Sequence, residues 1–123
     1  MTKEEKDLLF KDLAQRLPYR VKVHIPFLNH VETLIGLDII DGEIRINGYI
    51  SDVKPYLRPM SSMNEEERLV YLNLTLDYTN NKSYKKPTIE VIDWLNKYHF
   101  DYRGLIKKGL AIEVTESNNP YKD

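Results

Sequence analysis

Near the start of the chain apolar residues recur every three or four positions, at Leu9, Leu13 and Leu17 with Phe10 and Ala14 beside them. Lys6, Lys11, Asp12 and Gln15 fall opposite. That period is the stripe of an amphipathic helix. Thr2 and Glu5 have the spacing of a capping box, and Pro18 closes the run, so the pattern predicts a helix over 3–17. From Tyr19 the period drops to two. Val21, Val23 and Ile25 alternate with Arg20, Lys22 and His24, which predicts a strand with one buried and one wet face. A second alternating run, Val31, Thr33, Ile35, Leu37 and Ile39, leads into Asp41-Gly42, a dipeptide suited to a type I′ turn. Ile44, Ile46 and Ile50 alternate on the way back, so 31–40 and 43–50 are expected to form a hairpin.

The stretch "SDVKPYLRPMSSMNEEER" carries Pro55 and Pro59 and is read as an extended loop. Ser62 and Glu65 repeat the capping-box spacing, which predicts a second helix from about Met63, with Leu69, Leu72 and Leu76 as its apolar face, fading near Tyr78. Pro87 suits an early helical position, and Ile89, Ile92 and Leu95 with Val91 and Tyr98 make the stripe of a third helix. Leu110, Ile112 and Val114 alternate as a short fourth strand at the sheet's edge. The expected fold is therefore α+β: a three- to four-stranded mainly antiparallel sheet (19–25, 31–40, 43–50 and 110–114) with three helices packed mainly on one face. Residues 1–115 are expected to form a single domain, and the polar end "ESNNPYKD", 116–123, to be a frayed tail.

Composition narrows the function classes. With 123 residues the chain is long enough to bury a core without staples, and the absence of Cys excludes disulfides, thiolate metal sites and cysteine nucleophiles. Eighteen Lys and Arg against nineteen Asp and Glu leave a net charge of -1, so no global field draws the chain to nucleic acid or an anionic membrane. No stretch has the length of a membrane span, and "MTKEEKDLLF" lacks the basic and apolar pattern of an export signal, so a cytoplasmic location is expected.

Four places carry candidate chemistry. His24 and His30, with Asp38 or Asp41, match no metal-ligand spacing, and neither a metal nor another cofactor is expected. Lys54, Tyr56, Arg58, Ser61 and Ser62 precede a helix start, where an anion would be favoured if Glu65 to Glu67 did not repel it. Lys82, Tyr84, Lys85 and Lys86 have the basic and aromatic mixture of a single-stranded nucleic-acid loop, but are few in a neutral chain. The densest stretch is "WLNKYHFDYRG", residues 94–104. His99 is a possible base, Asp101 a possible orienting carboxylate, and Arg103 a possible clamp on an anion. Neighbouring side chains on an extended chain point apart, and no Ser or Cys nucleophile accompanies them. The structural account has Trp94, Tyr98, Phe100 and Tyr102 sealing the core while His99, Asp101 and Arg103 bond backbone groups that the helix leaves open.

"WLNKYHFDYRGLIKKGLAIE" and "KPYLRPMSSMNEEE" together resemble a group of small uncharacterised proteins of gut Bacteroidales, often of phage or mobile-element origin. The resemblance implies relatives and carries over no catalytic residue. The leading expectation is a non-enzymatic interaction module, plausibly prophage-derived, that binds a protein partner or a second copy through exposed Tyr56, Arg58, Tyr84, Tyr102 and Arg103. The rival is a small enzyme acting on a phosphorylated or carboxylated substrate through His99, Asp101 and Arg103. A third reading is weak nucleic-acid binding through residues 82–86.

Overall fold

The computed structural model describes residues 1–50, 52–75 and 89–122. Its fold is α+β with a mainly antiparallel sheet. Helix α1 spans Lys3–Arg16, and the Thr2 and Glu5 side chains each accept from the other's backbone N–H, at 3.1 Å and 2.8 Å, completing the expected box. Strands β1 (Lys22–Ile25) and β2 (His30–Thr33) pair antiparallel across the turn 26–29, and β3 (Leu37–Ile40) and β4 (Glu43–Ile46) form the second hairpin. Asp41 and Gly42 both take positive φ, +52° and +78°, as a type I′ turn requires.

Three expectations are corrected. The run 31–40 is two strands: the chain breaks at Leu34–Gly36, and β3–β4 is a separate two-stranded sheet rather than part of one meander. The register set by the 26–29 turn places Val31 opposite His24 on the outer face, so Leu34 is buried while Val31, Ile35 and Ile39 are exposed. The proline segment is the strand β5 (Lys54–Pro59), which pairs β1 antiparallel and two short strands, β6 (Phe100–Asp101) and β7 (Ile112–Glu113), in parallel. In the β1–β2 ladder Leu34 N–H donates to the Val21 carbonyl, so Lys22 and His24 turn their backbone groups toward β5, where His24 lies opposite Lys54. Pro55, opposite Val23, then sits at a position that asks for no N–H. Arg58 donates its N–H to the His99 carbonyl at 2.8 Å, so Pro59 again faces the other way. Prolines are tolerated in this central strand because both nitrogens point away from β1 and β6.

Helix α2 (Glu65–Thr75) begins two residues later than the Ser62–Glu65 spacing suggests. Asn64 and Glu67 form the box, at 2.8 Å and 2.9 Å, and the Ser62 hydroxyl donates to the Pro59 carbonyl instead. Helix α3 is described over Ile89–Lys97; the expected loop with Lys82, Tyr84, Lys85 and Lys86, the expected fading of the second helix near Tyr78, and Pro87 lie outside the described residues. The fourth strand is present as β7, but it pairs β5 and not the edge of a meander. Leu9 and Leu13 of α1, Val21, Val23 and Ile25 around β1, and Leu57 of β5 share one core with Ile44 and Ile46. Val91 and Leu95 of α3 share a second with Met63 and Phe100. No helix among the described residues is long and apolar enough to cross a membrane.

Candidate functional site

The corner after α3 is built around a buried ion pair that the periodicity of α1 does not announce. Asp12 and Arg16 are both fully buried, so placing Asp12 on the wet face of α1 is corrected. Arg16 Nε donates to Asp12 Oδ2 at 2.7 Å, and its Nη2 donates to the Phe100 carbonyl at 2.7 Å. Arg103 reaches the other Asp12 oxygen at 3.0 Å and Gln15 at 2.6 Å. The Tyr102 ring lies beneath the guanidinium groups of both Arg16 and Arg103, 5.1 Å and 4.8 Å from its centroid, and its hydroxyl donates to Asn96 at 2.8 Å. Arg103 and Tyr102 are therefore half-buried joints between α1 and the corner.

Asp101 faces elsewhere. Its two oxygens accept the N–H groups of Leu105 and Ile106, each at 2.9 Å, and so cap the turn that follows Gly104. His99 takes a third direction. It stands just beyond α3 with φ +64°, and its ring stacks on Tyr121 at 3.9 Å with the planes 10° apart. Burial, then the charges of Arg16, Arg58 and Lys22, lower the imidazole from 6.5 to about 4, so it is neutral at pH 7. Its Nδ1 is buried without a hydrogen-bond partner among the described residues. The three candidate catalytic groups do not converge on a common point: one holds a turn, one a helix, and one an aromatic stack.

Beside that stack lies an open cleft of about 780 Å³, bordered by Lys97, Tyr98, His99, Thr115, Tyr121 and Lys122. Tyr121 anchors the segment that was expected to fray: its hydroxyl accepts the Lys22 N–H at 2.9 Å and donates to the Tyr56 carbonyl at 2.7 Å. Burial raises this phenol's pKa above the ordinary tyrosine value.

The residues expected as exposed anchors are differently placed. Tyr56 is buried. Arg58 is half-buried, bound through both Nη atoms to Glu67 at 2.7 Å and stacked over Phe100 at 4.2 Å. The Arg58 guanidinium in turn holds the Glu67 carboxyl below its usual range. Tyr84 lies outside the described residues. His24 packs edge-on against Tyr56, and His30 pairs with Glu32 at 2.6 Å. Among the described residues no group of three metal-ligating side chains gathers.

Large apolar side chains are exposed on α2 (Leu69, Val70, Leu72), at Ile39, Ile50 and Ile89, and in one run on the first hairpin and just after it: Phe27, Leu28, Val31 and Ile35, the last 79 % exposed. The residue that fastens the hairpins together, Asn47, was also missed. Its amide accepts from Ile35 N–H at 2.8 Å and donates to the Thr33 carbonyl at 2.8 Å. The sequence signal was the turn dipeptide Asn47-Gly48, and Asn47 does take positive φ, +52°.

No family model matches the chain, and neither a curated protein nor a solved structure matches it.

Proposed function

We propose that the protein is a non-enzymatic interaction module, and that its contact surface is the end of the first hairpin rather than the aromatic corner. One observation carries this reading: Asp101, Tyr102 and Arg103 are spent on neighbouring side chains and on backbone, whereas large apolar side chains stand exposed around β2. A base, an orienting carboxylate and an anion clamp need a shared substrate position, and His99, Asp101 and Arg103 have none. A cytoplasmic setting fits the absence of Cys. A prophage origin rests on the resemblance of the two strings alone.

The test pairs activity with stability. Parent, His99→Ala, Asp101→Ala and Arg103→Ala are assayed with p-nitrophenyl phosphate and p-nitrophenyl acetate, and unfolded in urea. The expected result is hydrolysis at the buffer rate in all four and lower urea midpoints in the variants. Turnover by the parent that any one substitution abolishes would overturn the reading.

A further inference from the structure

Among the described residues strand β2 pairs with β1 alone and forms the end of the larger sheet. The Leu34 N–H bond to Val21 fixes which of its backbone groups face outward, because bonded pairs alternate along an antiparallel ladder. Leu34, Glu32 and His30 face β1; Thr33 and Val31 turn their N–H and C=O groups away from it. At the Thr33 end the edge is closed, because the Asn47 amide accepts from Ile35 and donates to Thr33 as a strand would. At Val31 no strand among the described residues pairs with it, and His30–Thr33 carries no lysine, proline or bulge, its guards being the charge of Glu32 and the shortness of the strand.

A single residue with both backbone groups outward is what a two-fold axis requires. The geometry points to a second copy of this chain as the partner, docked antiparallel on β2 about an axis through Val31, so that two sheets continue as one. Resting as it does on the interaction-module reading, it names that module's partner. In this register Val31 exchanges both backbone bonds with its own counterpart. His30 then stands opposite Glu32 of the other copy, on the same face, and Glu32 opposite His30. Within one copy these two side chains already meet at 2.6 Å, and Asn47 and Tyr49 donate to the Glu32 carboxylate at 3.1 Å and 3.2 Å, so the pairing sets each imidazole beside a carboxylate already held in place, with no like charges opposed. A shift of one residue in either direction loses this complementarity and turns the outward amides out of line. The four-residue strand is too short to hold two copies by itself, and Phe27, Leu28, Val31 and Ile35, exposed beside the edge, supply the apolar contact that a stable dimer needs.

Sedimentation equilibrium across a concentration series tests this. The parent is expected at twice the monomer mass. Val31→Pro removes the outward N–H without touching the β1–β2 ladder, and His30→Glu sets two carboxylates opposite Glu32; both are expected to sediment as monomers. His30→Glu decides the matter if circular dichroism shows Val31→Pro unfolded. A Cys-free parent allows a geometric check, because Cα atoms of a bonded antiparallel pair lie within disulfide range. Val31→Cys should oxidise to the linked dimer about tenfold faster than the somewhat more exposed control Ile39→Cys. A parent that is monomeric throughout overturns the proposal, as does a dimer that both folded variants preserve. Turnover in the hydrolysis assay would instead overturn the module reading, leaving the dimer measurement to stand separately.

Discussion

The phenol of Tyr121 donates to the carbonyl of Tyr56 at 2.7 Å while accepting the Lys22 N–H at 2.9 Å, and so stands where a rung of the sheet belongs. The register Val23 to Pro55 and His24 to Lys54 continues to Lys22 and Tyr56, whose backbone groups face each other. A side chain from near the end of the chain fills that place, between the start of β1 and the start of β6. The turns that follow Thr115 thereby become part of the sheet.

Replacing Tyr121 with Phe keeps the stack on His99 and removes only the hydroxyl. It leaves one donor and one acceptor in a half-buried seam, so unfolding in urea should show a loss of about 1 to 3 kcal/mol. Tyr121→Ala should lose more, because the ring's packing goes as well. A Phe variant as stable as the parent would mean that water serves the two backbone groups equally well.

Periodicity made α1, β1 and the β3–β4 hairpin legible, because each has a clean stripe or alternation and its own punctuation at Thr2, Pro18 or Asp41-Gly42. It misread two places for definite reasons. Apolar alternation from Val31 to Ile39 says which residues share a face but not which face is buried; the turn 26–29 decided that, and sent Leu34 inward. Pro55 and Pro59 spoke against a strand because sequence alone does not show which edge a nitrogen faces. The structural account of the corner had the right kind of role for Asp101, which bonds two amides. The partners of Arg103, Asp12 and Gln15, lie about ninety positions away, where no local pattern can reach. Arg16 had a partial signal: it continues the Leu9, Leu13 stripe at helical spacing and lies four residues after Asp12.

His99 makes stability depend on pH in a stated window. Burial and the nearby Arg16, Arg58 and Lys22 charges hold its folded pKa at about 4, whereas the unfolded imidazole takes up its proton near 6.5. Between those values the unfolded chain binds more protons, so stability rises with pH through the window and is lost as pH falls from 6.5 toward 4. The urea midpoint measured from pH 4 to 7 should follow that course, and the proton shifts of the His99 ring should titrate near pH 4. Glu67, held below its usual range by Arg58, adds its own loss at the acid end. His99→Asn, which keeps a residue tolerant of positive φ, separates the two by abolishing the slope above pH 4.5. An unchanged slope in that variant would assign the dependence to another group.

Asp101 should behave as a cap. Asp101→Ala leaves the Leu105 and Ile106 amides without their acceptor, one of them buried, and should cost about 1 to 3 kcal/mol. Asp101→Asn keeps one acceptor oxygen and should cost less. Amide hydrogen exchange at Leu105 and Ile106 reads this locally, with faster exchange in the Ala variant than in the Asn variant. Equal protection in all three proteins would show that the carboxylate is not what holds the turn.

Asp12 should be the most costly of these residues to remove, because it is the shared counter-ion of two arginines. Arg16 is fully buried and its Nη1 has no hydrogen-bond partner among the described residues, so its charge depends on the carboxylate beside it. Asp12→Ala leaves that charge uncompensated and detaches Arg103 from α1, which should cost about 3 to 5 kcal/mol. Arg16→Met removes a charge along with its bonds, leaves Asp12 still paired with Arg103, and should cost less. The double variant Asp12→Leu, Arg16→Met replaces the pair with apolar volume, so it should recover much of the loss seen in Asp12→Ala. Denaturant unfolding of the parent, Asp12→Leu, Arg16→Met and the double variant completes the cycle, with strong coupling expected between the two sites. Additive losses would mean that Arg16 is neutralised by something other than Asp12, and the corner's architecture would need a different explanation.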